Sequence, residues 1–154
     1  HQVKKLIATH VGLNPEVATQ NMQEGTLDVV LVPQGSLAEM IRADGAGLGG
    51  VLTPTGVGTI VEDNEFCLGK QTINGKDYLL MAPIHADFAV IAGAKIDKAG
   101  NVWYKGDTSN FNIVMATAAD VVIAEAEEIV DRITPEDVRT SGVFVDYVVE
   151  GGKY

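Results

Sequence analysis

The six residues Leu27 to Val32, "LDVVLV", carry a single charge and stop at Pro33. A near-continuous apolar run of this length fits a strand buried on both faces of a parallel sheet. Parallel strands need long crossovers, usually helical, and the flanking sequence supplies them. Upstream, Val3 to Val11 reads as a strand. Asn14-Pro15-Glu16 then reads as a helix start, with Asn as the cap, Pro at the first helical position and Glu at the positive end of the dipole. That helix is expected to run to about Glu24 and stop at Gly25. Downstream, Ser36 and Glu39 have capping-box spacing, which makes Ser36 the expected N-cap of a second helix. Leu37, Met40 and Ile41 fall on one face of it. Strand, helix, strand, helix is the signature of an α/β fold.

The remainder is less regular. Gly45 to Thr59 is too rich in Gly, Pro and Thr for a regular element. "FCLGKQTINGKDYLLM" reads as two strands around Asn74-Gly75, a type I′ hairpin turn. "ADFAVIAGAKID" reads as a buried strand, "GNVWY" as a short one, and Phe111 to Ala119 as a helix. "DVVIAEAEEIV" begins as a strand. Thr134-Pro135-Glu136-Asp137 repeats the cap-Pro-acid helix start, and "GVFVDYVV" closes as a strand. The expected class is α/β: an open, largely parallel sheet with flanking helices and a β-hairpin, in one domain over residues 1–154.

Composition excludes some roles. A net charge of -10 disfavours nucleic acid and anionic membrane surfaces as partners. No apolar stretch is long enough for a transmembrane helix. One cysteine, Cys67, cannot form an internal disulfide, which reads as a reduced, cytoplasmic setting.

Several motifs fail on context. Gly45, Gly47 and Gly50 match G-x-G-x-x-G, but the match follows a helix and opens a loop, where a dinucleotide site follows a strand and opens a helix. It reads as a helix C-cap leading into a tight turn. "TPTGVGT" lacks the Gly-Lys-Ser/Thr of a phosphate loop. His1, His10 and His85 share no ligand spacing with Cys67 or with each other, so they read as isolated histidines and no metal is expected. Glu125, Glu127 and Glu128 read as a solvated strand end.

Gln34 stands apart. In open α/β sheets, ligands gather outside the carboxyl ends of strands, and Gln34 lies between a strand end and a helix start. Its amide is a neutral donor suited to a developing oxyanion, and Gly35 lets a ligand approach the backbone. The alternative is a glutamine that fills a turn.

The stretch "VPQGSLAEMIRADGAGLGGVLTPTGVGT", Val32 to Thr59, resembles the signature of α subunits of family I coenzyme A transferases, of the 3-oxoacid and acetate/acetoacetate type. "KKLIATHVGLNPE", "ADFAVIAGAKIDKAGNVWY", "NFN" (Asn110 to Asn112) and "DVVIAEAEEIV" agree with it, so the likeness spans the chain. It implies a NagB/RpiA-like fold and an enzyme that moves coenzyme A between an acyl-CoA and a short-chain carboxylate or 3-oxoacid. The coenzyme A thioester is then substrate, and no cofactor is bound. The nucleophilic glutamate sits on a partner β subunit, in a hetero-oligomer expected to be α2β2. Gln34 maps to the oxyanion hole, and Gly35, Thr53, Thr55 and Gly56 map to the substrate wall. The chain corresponds to the last two-thirds or so of such an α subunit. Ser109 stands where the family often has Arg, and Asp44 stands where Gly is usual, which reads as a surface change. A non-catalytic ligand-binding or regulatory domain on the same fold is the alternative.

Overall fold

The computed structural model describes residues 1–151. They form mixed α/β architecture with open sheets, as the pattern implies, arranged in two compact units: residues 1–40 with 50–82, and residues 41–49 with 83–151.

The first unit opens with strand β1 (Lys5–Ala8), helix α1 (Pro15–Ala18) and strand β2 (Asp28–Leu31). Asn14 caps α1 as expected, its Oδ1 accepting from the N–H groups of Glu16 and Val17. The helix then loosens into a π-helical turn over Thr19–Gln23, and Gly25 breaks it at φ +64°. β1 and β2 pair in parallel, Lys5 opposite Asp28 and Ala8 opposite Leu31. Full burial of β2 is not observed: Val29 and Val30 are half-buried, and Leu31 is 52% exposed. The sheet has only two strands among the described residues, so an apolar run here covers one neighbour rather than two.

Helix α2 (Gln34–Gly45) follows directly. Leu37, Met40 and Ala43 are buried along it, with Ile41 half-buried. It ends in paired C-terminal bonds, Leu48 N–H to Ala43 O and Gly47 N–H to Asp44 O, with Gly47 at φ +68°. The glycine motif is therefore a Schellman-type cap.

The loop expected over 45–59 contains a short strand, β3 (Val51–Thr53). It joins β4 (Cys67–Ile73) and β5 (Lys76–Met81) in an antiparallel sheet of order β3-β5-β4. The β4–β5 turn is the hairpin read from Asn74-Gly75, with φ +52° and +75°.

The second unit contains β6 (Ala86–Asp97), β7 (Val102–Trp103), helix α3 (Asn112–Met115), β8 (Ala119–Val130) and β9 (Tyr147–Glu150). The sheet order is β7-β6-β8-β9. β6–β8 and β8–β9 are parallel, and β7 is antiparallel. β6 is buried on one face only: Ala89 and Ile91 are buried, while Phe88 and Val90 are exposed. The core collects Ala89, Ile91, Ile96, Val102, Tyr104, Ala116, Val122, Ala124 and Ala126. Two helices are shorter than their signals. The stretch read as helical over Phe111 to Ala119 holds one α-helical turn, because Ala119 already pairs with Ala86 in the sheet. Pro135–Asp137 is a single 3-10 turn, in which the Thr134 hydroxyl bonds to Asp137 instead of capping.

Asp97 organises the end of this sheet. It is 1% exposed, and its carboxylate accepts the N–H groups of Ala99, Asn101 and Ile133 and the Asn101 amide, each at 3.0 Å. Burial pushes its pKa up, but these hydrogen bonds prevail and hold it below the usual carboxylate range. Asp97→Asn turns an acceptor into a donor facing donors, and it is expected to cost about 3 kcal/mol in chemical denaturation. The folded-state pKa is lowered, so this stabilisation is present above about pH 4 and is lost as pH falls below it. An unchanged acid unfolding curve in Asp97→Asn contradicts this assignment.

Candidate functional site

The carboxyl end of β2 runs into α2 through Val32 and Pro33. Val32 is 1% exposed, and its N–H bonds to Ala8 O at 2.9 Å, so the parallel pairing continues to the end of the strand. The Leu37 N–H bonds to Pro33 O at 2.9 Å, which starts the helix at once. Pro33 fixes φ and carries no N–H. Asn64 clamps the same strand end, its Nδ2 donating to Leu31 O at 3.3 Å while its Oδ1 accepts the Phe66 N–H at 2.9 Å.

Gln34 is the first residue of α2, and both it and Gly35 are exposed. The first N–H groups of a helix have no intrahelical partners, and the first turn of α2 contains no acidic side chain. A Cβ built on Gly35 meets nothing within 4 Å, so the backbone there is open to a ligand. Gln34 thus stands at the positive end of a 12-residue helix.

Ser36 is not the N-cap that its spacing with Glu39 implied. The chain turns helical two residues earlier, at Gln34, which carries the serine into the helix. Ser36 is 4% exposed, and its Oγ has no hydrogen-bond partner among the described residues. Ser-x-x-Glu occurs inside helices as well as at their ends, and spacing alone does not separate the two.

Thr53, Thr55 and Gly56 form a second group, in the turn after β3. Thr53 Oγ1 accepts the Thr55 N–H at 3.2 Å, and Gly56 O accepts from the Thr59 N–H and hydroxyl at 3.1 and 2.7 Å. Gly56 is required: it holds φ +94°, and a Cβ there would lie 2.7 Å from Val61 Cβ. Glu62 braces the turn by accepting the Gly58 N–H at 2.7 Å and pairing with Lys70 at 3.2 Å; these contacts lower its pKa, the Gly58 bond most. Among the described residues, no hydrogen bond joins the Thr53–Gly56 turn to Gln34 or Gly35.

His85 was expected to be isolated, but its side chain is held from both sides. Nδ1 lies 2.8 Å from Asp44 Oδ2 and Nε2 lies 3.3 Å from Asp120 Oδ1. Asp44 is therefore no passive surface change; it anchors the histidine. No local pattern signals this cluster, since the three residues are far apart along the chain. Among the described residues, no group of three or more His, Cys, Asp or Glu side chains is placed to hold a metal ion, and no helix is long and apolar enough to cross a membrane.

The coenzyme A transferase family profile matches residues 1–151. The acetoacetyl-CoA:acetate/butyrate CoA transferase α subunit of Clostridium acetobutylicum is 49% identical over 152 residues, covering 97% of this chain and 68% of that protein. The acetate CoA-transferase subunit α of Escherichia coli is 46% identical, covering 96% of this chain and 66% of that protein. The chain thus spans about two thirds of the length of these relatives. Among solved structures, glutaconate coenzyme A-transferase from Acidaminococcus fermentans superposes with a TM-score of 0.83 at 20% identity, over 97% of this chain and 55% of that one. The chain belongs to the coenzyme A transferase family.

The geometry at His85 makes a pH prediction. The hydrogen bond to Asp44, and then that to Asp120, raise its pKa. A raised folded-state pKa means that the stabilisation is fully present below about pH 6.5 and fades as pH rises through the raised value. The imidazole midpoint measured by proton NMR is expected above 6.5, and His85→Gln is expected to flatten the decline of melting temperature over that range. A midpoint at or below 6.5 contradicts the pairing.

Proposed function

From that membership we propose that the chain supplies the oxyanion donor and part of the substrate wall of a coenzyme A transferase α subunit. This transferase moves coenzyme A between an acyl-CoA and a short-chain carboxylate or 3-oxoacid. The observation that carries the reading is Gln34: a neutral amide at the head of a helix, beside an open glycine, outside a strand end. The names of the two bacterial relatives, an acetoacetyl-CoA:acetate/butyrate transferase and an acetate transferase, support monocarboxylate substrates. Both are named as α subunits, which supports a β-subunit partner; the assembly proposed is α2β2, and the single cysteine fits a cytoplasmic setting.

The chemistry has four steps. A carboxylate of the partner attacks the thioester carbonyl carbon, the carbonyl electrons move onto oxygen, and collapse expels the coenzyme A thiolate to leave an acyl anhydride. The thiolate then attacks the glutamyl carbonyl of the anhydride and releases the first carboxylate. An incoming carboxylate attacks the glutamyl thioester carbonyl to form a second anhydride and release the thiolate. The thiolate finally attacks the new acyl carbonyl, which frees the glutamate and yields the new acyl-CoA. Each step places negative charge on a carbonyl oxygen. The Gln34 NH₂ donates to that oxygen, and the α2 dipole adds positive potential beside it. A neutral donor favours the oxyanion without trapping a carboxylate product as a cation would. Gly35 lets the thioester approach the backbone, and the Thr53–Gly56 turn contributes substrate contacts.

Gln34→Ala in the full two-subunit enzyme is expected to lower kcat by roughly 10²–10³-fold, the usual loss for one oxyanion donor. Melting temperature should change little, because the side chain is exposed. Gln34→Glu is expected to be at least as harmful, since a carboxylate repels the oxyanion. Near-normal turnover by Gln34→Ala would leave Gln34 as a residue that fills a turn.

A further inference from the structure

The cleft beside the β2–α2 junction holds apolar surface that the fold does not use. It has a volume of about 510 Å³, and its lining includes Val29, Leu31, Pro33, Ile60, Val61 and Glu65. Pro33 is the residue before Gln34, so the cleft begins where the oxyanion donor is anchored. Ile60 is 86% exposed and Leu31 is 52% exposed. Ile60 is not loose: it opens the 3-10 turn Ile60–Asp63, whose N-cap Thr59 accepts the Val61 N–H at 3.2 Å. The turn also closes on Asn64, which binds the carbonyl of Leu31. A large side chain held out into a cleft by a capped turn is an apolar surface offered to a ligand.

The charge around the cleft is net negative. Among the described residues no lysine or arginine lines it, and its ionisable member is Glu65. The Glu65 carboxylate binds Lys5 Nζ at 2.7 and 2.9 Å, and the same ammonium lies 3.3 Å from Asp28. Two carboxylates on one ammonium leave a negative rim. That rim accepts a neutral chain and disfavours a second carboxylate.

We propose that this cleft receives the acyl chain of the thioester, with Ile60 setting the chain length and Glu65 discriminating against dicarboxylic acyl groups. The proposal rests on the transferase reading above and adds residues that decide which acyl group is used. The thioester carbonyl meets Gln34, and the chain lies along Pro33, Leu31 and Val61. Ile60 caps the far wall. The substrates are short aliphatic acyl groups that are uncharged beyond the thioester.

The test uses the complete two-subunit enzyme. Steady-state kcat/KM is measured with acetyl-CoA, butyryl-CoA and succinyl-CoA for the unsubstituted enzyme, for Ile60→Trp and for Glu65→Gln. Ile60→Trp fills the cleft and is expected to lower kcat/KM for butyryl-CoA at least tenfold more than for acetyl-CoA, within the range that one or two methylenes command. Glu65→Gln is expected to raise the ratio of succinyl-CoA to butyryl-CoA use several-fold. Both side chains are exposed, so melting temperatures should confirm folded enzymes. Equal effects of Ile60→Trp on acetyl-CoA and butyryl-CoA, or no effect, overturn the acyl cleft and leave the transferase reading standing. Absence of turnover by the unsubstituted enzyme with every donor overturns that reading and the cleft with it.

Discussion

The handover from β2 to α2 at Pro33 is the constraint on which the proposed site depends. A strand held by Val32 N–H to Ala8 O stops at a proline, and a helix starts at once through Leu37 N–H to Pro33 O. Buried Val32 precedes the junction, and buried Leu37 and Met40 follow it. Gln34 has little room to move its backbone between them. The backbone that carries its amide is therefore positioned by packing on either side, although the side chain itself is exposed. That is the economical way to preorganise a donor, because the ordering cost is met by the core on folding.

Supporting bonds extend the same logic. Asn64 ties the strand end to the turn around Ile60, and Glu62 ties that turn to Gly58 and Lys70. A loop rich in glycine would otherwise be costly to hold in place. The glycines supply conformations that other residues cannot adopt, as Gly56 does at φ +94°, and side-chain acceptors then fix the result. Within this braced loop Val57 and Val61 are half-buried, while Ile60 is exposed.

Much of the fold was legible because its signals are local. Asn14-Pro15-Glu16 and Asn74-Gly75 each specify a cap or a turn from a few adjacent residues, and both act as read. The misreadings have a common cause: the outcome depended on partners elsewhere. The apolar run of β2 does not reveal how many strands lie beside it. Ser36 has a cap's spacing but sits inside a helix that begins early, since only the strand geometry fixes where the helix starts. α3 is short because β8 claims Ala119 for the sheet. Asp44, His85 and Asp120 meet only in the folded chain. At the candidate site, Gln34 and Gly35 are legible as a polar amide and a glycine at a strand end, whereas the Asn64 clamp and the exposed Ile60 need the structure.

Whether the Gln34 amide meets the thioester oxygen is decided by a structure of the two-subunit enzyme trapped as its glutamyl–coenzyme A thioester. Gln34 Nε2 is expected about 3 Å from the thioester carbonyl oxygen, with an N–H pointing at it. A thioester oxygen held by other donors, with the Gln34 amide turned to solvent, would contradict it.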